Sequence, residues 1–83
     1  MTTHVSHPAI IKRLRRAQGH LASVIEMLRA ERPCVDSAQQ LQAVEKAITS
    51  AKKALIHEHI SECLAHGDGQ GAVEEFKAIA KYL

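Results

Sequence analysis

Cys34, His59 and Cys63 are the residues of this chain best suited to holding a soft metal ion. His59 and Cys63 stand four apart, a spacing that puts two side chains on one face of a helix. Thiolates select soft ions such as Cu(I), while imidazole suits copper, nickel, cobalt and zinc. Three such ligands fit trigonal Cu(I). A fourth, from His4 or His7 near the N-terminus, would suit Ni(II), Co(II) or Zn(II). Each residue also has a plainer reading: a free Cys is often a small buried hydrophobe, and a His on an apolar stripe a hydrogen-bonded core residue. The run His57-Glu58-His59 lacks the spacing of the His-Glu-x-x-His metalloprotease helix, and neither a Ser/His/Asp pattern nor a phosphate loop occurs. Catalysis has almost no support, and the chain reads as a non-enzyme.

These residues lie on a segment, 35–65, that has neither Gly nor Pro and carries apolar residues at helical spacing. In a straight helix Cys34 stands roughly 37 Å along the axis from His59 at ~1.5 Å per residue. One chain therefore cannot close the site on itself. An identical helix packed antiparallel brings Cys34 of one chain beside His59 and Cys63 of another, which predicts an intersubunit site formed twice per dimer.

The elements that must position them follow from composition and pattern. Eighty-three residues make one domain, near the lower limit for a self-sufficient core. Two Pro, four Gly and no Trp, with abundant Ala, Leu and Ile, describe an all-α chain that buries its long helices by oligomerising. Residues 1–7 read as a mobile polar arm. A first helix is expected over 8–30, opened by Pro8 and carrying a stripe of Ile11, Leu14, Leu21, Ile25 and Leu28, widened by Ile10, Ala17 and Val24. Gly19 within it would permit close helix approach. Arg32-Pro33 marks the turn. The second helix is expected over 35–65, with a seam of Leu41, Val44, Ile48, Ala51 and Leu55 that continues in steps of four onto His59 and Cys63. Residues 67–71 read as a glycine-rich link, and 72–83 as a short third helix with Val73, Phe76, Ile79, Ala80 and Leu83 on one face.

The N-terminus lacks the charged start and apolar run of a signal peptide. No stretch approaches the ~20 apolar residues that span a bilayer. A cytoplasmic location with reduced cysteines and no membrane partner is the expectation. The formal net charge is only +2, but Lys12, Arg13, Arg15 and Arg16 crowd one and a half helical turns, and Lys46, Lys52 and Lys53 add to them from the second helix. Alone, such a cluster is commonly a solvated face. As a DNA-binding surface it would rely on phosphate contacts and groove shape. A single Phe and a single Tyr leave little for base stacking.

The stretches IIKRLRRAQGHLASVIEML, CVDSAQQLQAVEKAI and LIHEHISECL resemble the CsoR/RcnR family of small, all-helical, metal-responsive bacterial repressors. The resemblance covers most of the chain and places the family's ligands on Cys34, His59 and Cys63, the Cys-His-Cys set associated with copper(I) sensors. It implies an antiparallel four-helix-bundle dimer that pairs into a flat homotetramer. It also implies binding of double-stranded operator DNA in the metal-free state, with release when metal binds and transcription of an exporter gene. Three positions depart from the family pattern. Pro33 stands where copper sensors commonly carry Tyr. Ile79 stands about where a supporting Glu is expected in the last helix, with Glu74 and Glu75 nearby. His20 takes the place of a usual Gln. Groups behind the ligands orient them and relay occupancy, so the first two departures bear on coupling.

The arm histidines His4 and His7 resemble those of the nickel/cobalt branch. The formaldehyde-sensing branch uses an N-terminal Pro amine with the first Cys, whereas Thr2 follows Met1 here. Persulfide sensors use two Cys at comparable places, a use that an intervening His argues against. The sequence thus points to a metal-responsive repressor, with Cu(I) ahead of Ni(II) or Co(II). The alternative from another class is a cytosolic metal-buffering or thiol- or formaldehyde-sensing helical protein.

Overall fold

The structure is a computed structural model that describes residues 6–66 and 69–83. It comprises α1 (His7–Arg29), α2 (Cys34–His66) and α3 (Gly69–Ala80), with no strand among the described residues. The all-α, three-helix expectation holds.

Two boundaries differ from the sequence reading. Ser6 and His7, expected in an arm over 1–7, instead open α1: the Ile10 N–H donates to the Ser6 carbonyl (3.0 Å) and His7 lies in the first turn, while residues 1–5 fall outside the described residues. Pro8 costs nothing there, since the first N–H groups of a helix have no intrahelical acceptor. At the other end, α3 begins at Gly69 rather than at 72 and stops at Ala80. Glycine lowers helix propensity by about 1 kcal/mol, a preference that packing along α2 overrides.

The junction of α1 and α2 is a Schellman turn. The Arg32 N–H donates to Met27 O (3.0 Å) and the Glu31 N–H to Leu28 O (3.1 Å), with Glu31 in the left-handed region at φ 56. Pro33 then ends the reversal, and its carbonyl accepts from the N–H groups of Asp36 (3.0 Å) and Ser37 (3.3 Å). Asp36 complements the dipole in the first turn of α2.

Three polar contacts fix α1 and α2 as antiparallel. Ser6 bonds Glu58, Arg13 bonds Ser50 and His20 bonds Gln40, the last at 2.6 Å. Between the helices runs a narrow seam of every seventh residue. Ile10, Ala17 and Val24 from α1 meet the Ser37, Val44 and Ala51 series of α2, and Ile56 is also buried.

The larger apolar residues expected along this seam lie open instead. Ile11, Leu14, Leu21, Ile25 and Leu28 on α1, and Leu41, Ile48 and Leu55 on α2, are all exposed, Leu28 at 55% and Ile48 at 46%. The Cα extents are 55 × 23 × 13 Å, so the hairpin is a slab about one helix thick. A single layer has no interior for a second apolar row. Burying one such side chain contributes about 1.5–3 kcal/mol, which makes this row a strong drive for association. Gly19 plays no part in helix approach within the chain, because a Cβ there would meet nothing within 4 Å. Among the described residues, no helix is long and apolar enough to cross a membrane.

Candidate metal centre

α2 runs without a break from Cys34, its first residue, to His66. His59 and Cys63 occupy its final turns, so the helix holds Cys34 roughly 37 Å from His59 at 1.5 Å per residue. Cys34 is exposed at one end of the hairpin and Cys63 is half-buried at the other, and both thiols are free. The chain thus keeps the three expected ligands in two groups.

α3 completes one of those groups. It folds back along the end of α2 and brings Glu75 to His59, with Nε2 and Oε1 3.7 Å apart. One ligand atom each from His59, Cys63 and Glu75 lie within 4.8 Å of one another. Imidazole and thiolate are ligands for soft and borderline ions, and a carboxylate beside a ligating histidine fixes its tautomer and raises its basicity. The residues present therefore fit a metal ion.

The sequence reading puts Ile79 about where a supporting carboxylate is expected, with Glu74 and Glu75 nearby; the structure sets Glu75 beside His59. Glu75 and Ile79 are four apart and share a helix face. Ile79 lies one turn beyond Glu75 on that face. Glu75 was visible nearby, and its i, i+4 relation to Ile79 was the signal that could have identified it.

His7 does not join this cluster in the chain. Its Nε2 lies 3.7 Å from Glu58 Oε2, near the start of α1. His4 falls outside the described residues. His57 is exposed, as a surface role would have it.

Lys12, Arg13, Arg15 and Arg16 are all exposed on α1, as are Lys52 and Lys53 on α2. The bond from the Arg13 guanidinium to Ser50 Oγ sets the two groups level along the hairpin. Antiparallel pairing thereby merges two separate runs of sequence into one cationic zone. Lys52 stands about two helical turns from His59.

The sequence profile of the family described as "Metal-sensitive transcriptional repressor" matches residues 6–82. The chain belongs to this family. Metal-responsive transcriptional repression is accordingly its class of function. It is 35% identical over 78 residues to the copper-sensing transcriptional repressor CsoR of Mycobacterium ulcerans (strain Agy99), covering 89% of this chain and 67% of that protein. It is 32% identical over 76 residues to the copper-sensing transcriptional repressor CsoR of Bacillus subtilis (strain 168), covering 87% and 75%. The chain spans about two thirds of the length of the mycobacterial relatives it matches. Among solved structures, the nickel-responsive transcriptional regulator InrS superposes with a TM-score of 0.83 at 26% identity, covering 100% of this chain and 99% of that one.

Proposed function

We propose that this protein is a cytoplasmic repressor that binds operator DNA without metal and leaves it when Cu(I) binds between two subunits. The observation that carries this reading is the division of ligands along α2: His59 and Cys63 stand beside Glu75 at one end, with Cys34 at the other. A second copy packed antiparallel on the open apolar row forms a four-helix bundle and sets each Cys34 against the His59 and Cys63 of its neighbour. Two such dimers make the homotetramer. When bound, the metal supplies a soft cation that binds two thiolates and one imidazole. Glu75, whose Oε1 stands 3.7 Å from His59 Nε2, is placed to orient the imidazole toward the site. Lys12, Arg13, Arg15, Arg16, Lys52 and Lys53 contact phosphates of the duplex.

Copper is preferred because Cys34, His59 and Cys63 form a three-residue thiolate and imidazole set that suits trigonal Cu(I), and His7 is placed beside Glu58 within the chain. The likeness to InrS, a nickel-responsive regulator, supports a second reading in which Ni(II) or Co(II) is the effector and His4 or His7 supplies a fourth ligand. Anaerobic titration with Cu(I) and with Ni(II), each followed by operator affinity, separates the two. Release by Cu(I) that persists after His4→Ala and His7→Ala supports the first. Release by Ni(II) alone, abolished in that double variant, supports the second.

A further inference from the structure

Ser6 stands at the N-cap of α1, where a hydroxyl ordinarily accepts a bond from an N–H two or three residues on. It makes no such bond, and its backbone is already helical at φ −88, ψ −7. The hydroxyl instead donates to Oε2 of Glu58, while the Ser6 N–H donates to Oε1 of the same carboxylate at 3.3 Å. His7 Nε2 lies 3.7 Å from Oε2. One side chain of α2, only 13% exposed, therefore gathers the whole start of α1. Hydrogen bonds to an ionised acceptor are the stronger kind, and a carboxylate this buried requires them.

Glu58 immediately precedes His59. Consecutive residues on a helix point about 100° apart, so a single turn of α2 addresses α1 through Glu58 and α3 through His59. The Lys12–Arg16 segment begins roughly 9 Å along α1 from Ser6 at 1.5 Å per residue.

We infer that Glu58 is the positioning residue that links metal occupancy at His59 and Cys63 to α1 and its basic residues. A displacement of the last turns of α2 that accommodates the metal carries the carboxylate with it and shifts or frees the first turn of α1. The inference rests on the reading of His59 and Cys63 as ligands. Coupling of this kind is reciprocal, so holding the start of α1 in place also alters metal affinity.

Hydrogen exchange on the full chain tests the link, with Cu(I), and in parallel Ni(II), as the only additive. Thiolate-to-metal absorption reports binding independently. In the wild type, metal should change amide exchange across residues 7–16 by roughly two- to thirtyfold, the range that coupling residues produce. Glu58→Ala should bind metal and lose this response. Ser6→Ala, which removes only the hydroxyl, should weaken it with little effect on folding. Glu58→Gln, which keeps an acceptor for the Ser6 N–H, should fall between the wild type and Glu58→Ala. The double variant Ser6→Ala/Glu58→Ala should match Glu58→Ala alone, because both residues act through one link. Metal binding with an undiminished response in Glu58→Ala and Ser6→Ala would overturn the proposal alone. Binding of neither metal by the wild type would overturn the reading of the site, and the proposal with it.

Discussion

His59 on α2 and Glu75 on α3 meet with Nε2 and Oε1 3.7 Å apart, and this contact joins the shortest helix to the C-terminal turns of the longest. Cys63, one turn after His59, lies within the same 4.8 Å cluster. α3 therefore brings a carboxylate to the His59 and Cys63 end of α2.

Glu75→Ala should lower metal affinity by about 10- to 100-fold, the usual loss when a group supporting a ligating histidine is removed. Glu75 is exposed, so the fold should survive, and far-ultraviolet circular dichroism verifies that point. Competition against a chelator of known strength measures the affinity. An unchanged value would leave the contact as surface packing.

How far the sequence could be read depended on which physical signal each feature carried. The helices were legible because apolar spacing and Pro33 mark them from within the chain. The choice of seam was not. Ile10, Ala17 and Val24 sit beside Ile11, Leu14 and Leu21 on one broad stripe, and periodicity cannot say which part faces the hairpin and which faces another copy. Ile10, Ala17 and Val24 take the narrow seam with Val44 and Ala51, and the leucines and isoleucines beside them stay open. Cys34, His59 and Cys63 were candidates by type and spacing, and the structure sets His59 and Cys63 together at one end of α2. Glu75 was one turn from the position that sequence comparison singled out, and only the packing of α3 on α2 shows that it meets His59. Glu58 carried no signal at all, since nothing along the chain shows that it faces the start of α1.

The open row makes its own prediction. Ile48→Glu places a charge on a residue that is 46% exposed in the single chain, where it should cost little. In an assembled bundle the same charge is buried without a partner, a cost of several kcal/mol. Analytical ultracentrifugation should show the variant dissociating to monomers at concentrations where the wild type remains associated. An assembly of unchanged mass would place the contact between copies elsewhere.

The cationic zone should act through phosphates. Arg15→Ala and Arg16→Ala should each weaken duplex binding at moderate salt and reduce the slope of log affinity against log salt by about one. Metal affinity measured without DNA should stay within about twofold of the wild type, since Arg15 and Arg16 are exposed and neither takes part in the Ser6–Glu58 contact. Slopes that match the wild type in both variants would return these residues to a solvated face.

The central claim is that two chains share each metal site, and a mixing experiment tests it most directly. Cys34→Ala chains keep His59 and Cys63, and Cys63→Ala chains keep Cys34; neither homodimer has a complete set. Unfolded together and refolded, they should form mixed dimers in which Cys34 of one chain meets His59 and Cys63 of the other. By the two-fold symmetry of such a dimer, tight anaerobic Cu(I) binding should return at about one site per mixed dimer. Mixed dimers that form and bind no tighter than either variant alone would contradict the shared site.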